Sequence, residues 1–311
     1  MPLGPDVETP VVAVVGATAT GKSDLGVALA LELGGEVINA DAMQLYRGMD
    51  VGTAKLPMQE RQGVPHHLLD VLDVTDEASV AAYQREVRSV VDDVVARGRV
   101  PVLVGGSGLY VRAALEPLQI PPTGPGVRAR LGAEAQEAGA AQMHARLSRV
   151  DPQSADRILP GNVRRVVRAL EVVELTGQPF SATLPQPVYL RPTVQLGLRA
   201  PRPALDERIG LRVRRMWADG LLDEVAALLP LGLREGRTAS RAVGYAQALA
   251  QLDGRIGPEA ARDETARLTR RLARRQESWF GRDPRITWLP YDVPDLLLRA
   301  LDVVRAARDG R

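Results

Sequence analysis

One segment narrows the fold more than any other: Gly16-Ala17-Thr18-Ala19-Thr20-Gly21-Lys22-Ser23, set between Val11–Val15 and the helix-forming stretch Ser23–Leu33. It fits G-x-x-x-x-G-K-[ST], and such a loop has to lie between a strand and a helix. The glycines let successive backbone N–H groups curl round a phosphate. The helix N-terminus adds its dipole, and Lys22 supplies a point charge. Ser23 is placed to bring its hydroxyl to a Mg²⁺ ion. Val11–Val15 is uniformly apolar, as a parallel strand covered on both faces requires. Phosphate binding follows from the motif; nucleotide hydrolysis does not.

Glu36–Ala40 and Val100–Val104 read as two further strands, with a helix of 3.6-residue periodicity over Ala78–Arg97 between them. This strand–helix alternation argues for a doubly wound α/β core. Val100–Val104 runs into Gly105-Gly106-Ser107 rather than into an acid, so the Asp of a nucleotide motor is missing there. An acid instead follows the second strand, at Asp41. The C-terminal ends of neighbouring strands in such a sheet face one crevice, so Asp41 and the Ser107 turn should converge on the phosphate loop. A simpler role for Asp41, capping the next turn, stays open on this evidence.

The texture changes at Pro117–Pro125. Val127–Ala138, Ala140–Leu147 and Asn162–Leu175 are helical, and Pro179–Pro192 is a proline-rich connector. Val194–Leu198 reads as a strand returning to the sheet. Leu205–Leu229 follows as one long helix, then helices over Ser240–Leu252 and Pro258–Phe280, and a last strand at Ile286–Leu289. The expected organisation is a core of residues 1–117 and 194–311, interrupted by a helical insertion over 118–193.

Charge suggests what the core serves. The net charge is only +2, yet residues 262–275 hold six arginines (Arg262, Arg267, Arg270, Arg271, Arg274, Arg275) against two acids, and Arg157, Arg164, Arg165 and Arg168 form a second group. Such clusters suit a polyanion, with a solvated helix face as the plainer alternative. There is no cysteine, which removes disulfides, zinc-thiolate sites and thiol catalysis. Three histidines, two of them adjacent as His66-His67, point to structural hydrogen bonding rather than a metal. Met1–Pro10 lacks an apolar stretch beside a basic flank, and no segment has the ~20 apolar residues of a membrane span, so a cytoplasmic protein is expected.

Ordered segments along most of the chain resemble the tRNA dimethylallyltransferases, also called tRNA isopentenyltransferases. They are Gly16–Ser23, the block from Ile38-Asn39-Ala40-Asp41-Ala42-Met43-Gln44 through Lys55, Pro65–Asp70, Val104–Tyr110, Asn162–Thr176, Gly220–Val225, Gly244-Tyr245 and Thr269–Phe280. The resemblance implies a P-loop NTPase-like α/β core with a parallel sheet and an inserted all-helical domain. It also implies transfer of dimethylallyl from dimethylallyl diphosphate to N6 of the adenosine at position 37, just 3′ of the anticodon, with Mg²⁺. On that reading Asp41 takes the proton from N6, and the loop from Gly16 to Ser23, Ser107 and Arg212 stabilise the departing diphosphate. Arg208, one turn before Arg212, is the alternative for the arginine. Contacts to the tRNA anticodon stem-loop fall to Asp41, Ala42, Met43, Gln44, Ser107, Arg128, Arg164, Arg165, Arg168, Arg271 and Arg274, with Trp279 or Tyr245 near exposed bases. A monomer is expected.

Three positions depart from the family's usual residues: Ser107 where threonine is usual, Ala17 for proline, and Gly161 for asparagine. The first keeps its hydroxyl; the last removes one RNA contact. Competing readings are a P-loop small-molecule kinase, a prenyltransferase acting on free AMP or ADP, and an RNA-binding adaptor. The helical insertion and arginine helix speak against the first two, and the intact Lys22, Ser23 and Asp41 against the third.

Overall fold

The computed structural model describes residues 9–183 and 188–309. The connector residues Leu184–Pro187 and most of the N-terminal segment lie outside the described residues. Six strands run β1 Val11–Gly16, β2 Gly35–Asn39, β3 His66–His67, β4 Val100–Gly105, β5 Thr193–Arg199 and β6 Ile286–Pro290. The helices are α1 Lys22–Leu33, α2 Val80–Ala96, α3 Gly108–Leu115, α4 Pro125–Ala138, α5 Ala140–Val150, α6 Pro152–Arg157, α7 Val163–Thr176, α8 Arg202–Ala218, α9 Leu221–Leu228, α10 Tyr245–Leu252, α11 Pro258–Phe280 and α12 Leu296–Arg308.

The strands form one parallel sheet in the order β3-β2-β4-β1-β5-β6. β1, β2 and β4 are buried along their whole length, as a sheet covered by helices on both faces demands. Val12, Val14, Val102, Val104 and Leu196 pack with Leu25, Leu29 and Val304 into the main core. A second cluster gathers Tyr46, Met49, Leu221, Val225 and Tyr245.

The chain divides into two compact units, residues 1–115 with 189–311, and residues 116–188. The second unit holds α4 to α7, packed round Leu131, Met143, Leu147, Val166 and Leu170. Its buried Glu171 accepts hydrogen bonds from Gly124 N at 2.7 Å, Arg128 Nε at 3.0 Å and Arg168 Nη1 at 3.0 Å. Those donors hold its carboxylate below the usual range despite the opposing effect of burial.

Some sequence expectations need correction. The single helix over Leu205–Leu229 is two, α8 and α9, because Gly220 takes a left-handed conformation at φ 94° that ends the helical run. The helix expected from Ser240 starts at Tyr245, after a 3₁₀ turn at Ala239–Arg241 and Gly244 at φ 95°. In α11 the buried stripe is Ala261, Thr265, Ala266, Ala273, Gln276 and Phe280. Small residues there let α11 approach Leu205 and Ile209 of α8. The short strand β3, pairing with β2, and helices α3, α6 and α12 were not anticipated. His67 sits on β3 with Nε2 2.6 Å from Glu36 Oε2, and His66 Nδ1 lies 2.8 Å from Val64 O, so both rings serve local hydrogen bonds.

Candidate active site

The phosphate loop bridges β1 and α1 at the centre of the sheet. Thr20 Oγ1 donates to Ala17 O at 2.9 Å and closes the loop on itself. Two helices hold it from outside. Gln276 of α11 accepts from Thr18 N at 2.9 Å while its Nε2 donates to Gly106 O at 3.0 Å. Arg208 of α8 donates from Nε to Ala19 O at 2.7 Å, with its guanidinium 5.1 Å from the centre of the Tyr291 ring. No motif in the linear sequence marks Gln276. Its clue was an amide three residues after Ala273 and four before Phe280, on a buried stripe where a polar group needs partners.

Lys22 Nζ donates to Ala17 O at 2.6 Å. Burial lowers its pKa to about 8, Asp41 pulls the other way, and Arg212 adds to the lowering. An ammonium so deprived of water favours an anion beside it. Arg212 is held by Thr53 O, to which its Nη2 donates at 3.0 Å, and burial lowers its pKa too, opposed by Asp41.

Asp41 follows the end of β2. Asn39 shapes that turn: its Nδ2 donates to Asp41 O at 3.0 Å and Leu68 O at 2.9 Å, and its Oδ1 accepts from Asp41 N at 2.8 Å. Asn39, also unassigned from sequence, is thus a second positioning group. Asp41 Oδ1 accepts from Met43 N at 2.9 Å, the capping bond left open above. Its Oδ2 has no hydrogen-bond partner among the described residues, so the cap uses one oxygen and frees the other. Ser107 Oγ accepts from Ala42 N at 3.3 Å. The ends of β2 and β4 meet this closely because Gly105 has no side chain; a Cβ there would lie 2.3 Å from Ala40 C and O. Gln44 Nε2 donates to Thr53 O at 3.2 Å.

These groups surround a cavity of about 70 Å³ lined by Lys22, Ser23, Asp41, Gln44, Thr53 and Arg212 among others. Ser107 is not part of its lining. A wider cavity of about 920 Å³ shares Lys22, Ser23 and Arg212 and adds Arg208, Arg215, Asp50, Lys55 and Asp70. Both belong to the first unit. The structure therefore brings together the loop, Asp41 and Arg212, with Arg212 reaching both cavities and Arg208 only the wider one. Ser23 lines both, so its hydroxyl is a group that would hold a cation there. No group of three His, Cys, Asp or Glu able to hold a metal occurs among the described residues.

Basic side chains are distributed more selectively than the sequence suggested. Arg271, Arg274 and Arg275 are exposed on α11, whereas Arg270 is partly buried. The nearby acids are engaged elsewhere: Glu264 with Arg267 at 2.6 Å and Glu277 with Arg202 at 3.0 Å. Trp279, 44% exposed, lies against the Ser107 turn, since a Cβ on Gly108 would meet its indole at 2.2 Å. Tyr245 cannot stack on a base: it is fully buried and its hydroxyl donates to Glu224. In the second unit Arg164 and Arg165 are exposed, and Arg128 is half-exposed beside Glu171. Arg168 donates to Pro121 O at 2.8 Å and Pro122 O at 2.9 Å, which commits it to holding that unit together.

Residues 44–283 match the sequence model of the IPP transferase family. The chain belongs to the IPP transferase family. It is 65% identical over 299 residues to a tRNA dimethylallyltransferase of Thermobifida fusca, covering 94% of each chain. A tRNA dimethylallyltransferase of Kineococcus radiotolerans is 62% identical over 308 residues, covering 96% of this chain and 97% of the relative. Among solved structures, the full-length tRNA isopentenylpyrophosphate transferase of Bacillus halodurans superposes with a TM-score of 0.71 at 38% identity, covering 97% of both chains. A eukaryotic dimethylallyltransferase acting on tRNA gives a TM-score of 0.84 at 26% identity, covering 97% of this chain and 80% of that one. The P-loop-type core expected of an IPP transferase is the first unit. Among the described residues no helix is long and apolar enough to cross a membrane.

Proposed function

We propose that the chain transfers the dimethylallyl group of dimethylallyl diphosphate to N6 of adenosine 37 in the anticodon stem-loop of tRNA, releasing diphosphate. One observation carries this reading: an acid with a free oxygen, Asp41, faces the same small cavity as a phosphate loop and the partly buried Arg212. Phosphate-binding groups opposite a lone base suit group transfer to a weak nucleophile. The exocyclic amine of adenine has its lone pair delocalised into the ring. As the C–N bond forms and the C–O bond to diphosphate breaks, Asp41 Oδ2 accepts the N6 proton. Lys22, Arg212 and the loop amides stabilise the negative charge gathering on the leaving diphosphate. Ser23 is the residue that would hold Mg²⁺, which supplies further charge neutralisation on the diphosphate when bound.

The target adenine has to leave its stacked loop to reach Asp41, at a cost of about a few kcal/mol. Trp279 beside the Ser107 turn and the exposed Arg271 and Arg274 on the same helix offer stacking and phosphate contacts. Gln44 lines the small cavity with Asp41, Ala42 and Met43 follow Asp41 in the chain as further tRNA contacts, and Arg164 and Arg165 add contacts from the second unit. The test is incubation with radiolabelled dimethylallyl diphosphate, or with ATP, against unmodified tRNA and AMP, with and without Mg²⁺. Label entering tRNA at adenosine 37, only with Mg²⁺, is expected. Label in AMP alone, or phosphoryl transfer from ATP, would replace this reading.

A further inference from the structure

The segment Asp50–Lys55 forms part of the wall of both cavities, yet it belongs to no helix or strand. An irregular loop can hold such a place only if its backbone groups are satisfied. Three consecutive amides of the segment are satisfied by one side chain outside both cavities, Glu224 in the first turn of α9. Its Oε2 accepts from Asp50 N at 3.0 Å and Val51 N at 2.6 Å, and its Oε1 accepts from Gly52 N at 3.2 Å and from the Tyr245 hydroxyl. Burial first, and then the Glu224 charge, push the Tyr245 pKa up, so the phenol stays a donor. Gly52 is a fitted element of this brace, because a Cβ there would lie 2.4 Å from the Tyr245 ring.

The next peptide faces the chemistry. Thr53 O accepts from Arg212 Nη2 at 3.0 Å and from Gln44 Nε2 at 3.2 Å. Four donors converge on Glu224 at one end of the segment, and two donors from the site converge on Thr53 O at the other. We propose that Glu224 is a positioning residue for the transfer reaction: it gathers the amides of residues 50–52 and so fixes the Thr53 carbonyl that aims Arg212 at the diphosphate. An acid in the first turn of a helix commonly serves its own helix dipole. Here the carboxylate instead reaches across to another segment, and all its hydrogen-bond donors come from outside α9. The proposal rests on the reading of Arg212 as a diphosphate-facing group.

A double-mutant cycle separates positioning from bulk stability. Glu224→Gln keeps the shape but turns an NH₂ group toward donors, so at least one loop amide loses its acceptor. In the otherwise wild-type chain it should lower kcat/KM for dimethylallyl diphosphate about tenfold, while tRNA affinity stays unchanged. In an Arg212→Ala background the same substitution should have no further effect. An equal loss in both backgrounds, or a parallel fall in tRNA affinity, would overturn the proposal. If Arg212→Ala alone has wild-type kinetics, the reading of Arg212 fails first and the role of Glu224 goes with it, an outcome visible before the cycle is closed. Should Glu224→Gln not fold, Tyr245→Phe removes one of the four donors and should give a smaller loss that also vanishes in the Arg212→Ala background; its persistence there overturns the proposal equally.

Discussion

The charge state of Lys22 should set the upper pH limit for binding the prenyl donor. Its fall from 10.5 to about 8 in the folded chain corresponds to about 3 kcal/mol favouring the neutral amine. For a base with a depressed folded pKa the penalty is present below about 8 and fades as the amine loses its proton. The free enzyme should therefore gain stability as pH rises from about 8 towards 10.5. Binding reverses the balance, because a diphosphate replaces the missing solvation and returns the proton to Lys22. Initial rates at low dimethylallyl diphosphate and saturating tRNA, measured from about pH 6.5 to about pH 9.5, should show kcat/KM falling about tenfold per unit above the break. Affinity for inorganic diphosphate gives the same readout without turnover. Asp41 raises and Arg212 lowers the Lys22 pKa, so Asp41→Asn should move the break to lower pH and Arg212→Ala to higher pH. A profile flat to about pH 9.5, or a break that both variants leave in place, would refute the assignment.

Asp41→Ala should slow transfer by about 10²–10⁴-fold with tRNA affinity retained, and more than about a tenth of wild-type turnover would rule it out as the base. Arg271→Ala and Arg274→Ala should each weaken tRNA binding and flatten its salt dependence by roughly one unit of slope, leaving donor affinity unchanged; titrations at two salt concentrations decide this. Gly105→Ala places a methyl 2.3 Å from backbone atoms of Ala40, so it should both destabilise the core by about 1–3 kcal/mol and misplace Asp41. Thermal unfolding together with single-turnover rates checks that pair of effects, and a destabilised variant with wild-type single-turnover transfer would show that the Asp41 turn tolerates the shift.

The candidate site was legible to unequal degrees. The loop from Gly16 to Ser23 declares itself because its function depends on contiguous backbone, and the residue types at fixed spacing follow from that geometry. Asp41 could be placed because the C-terminal end of a parallel strand is an address that sequence order supplies. Gln276 and Glu224 could not be assigned, since each acts on backbone groups brought near only by folding. Gln276 meets Thr18 across 258 positions, and Glu224 meets Asp50 across 174. Tyr245 and Trp279 show the same limit from the other side: aromatic character was plain in both, but only the packing decided that Tyr245 is sealed against Glu224 while Trp279 stays open beside Gly108.

What the sequence by itself determined is the local and periodic part: the order of buried strands, the phosphate loop, the change to helices after Pro117, and the acid after β2. These rest on interactions between residues near in the chain, or on hydrophobic periodicity, which a linear reading retains. Tertiary structure alone decided which arginines are free and which are held by carboxylates and carbonyls, and how Arg212 is aimed. Those outcomes turn on hydrogen bonds and steric fits between distant segments, whose partners are specified by the three-dimensional packing of the sheet and its helices rather than by any spacing along the chain.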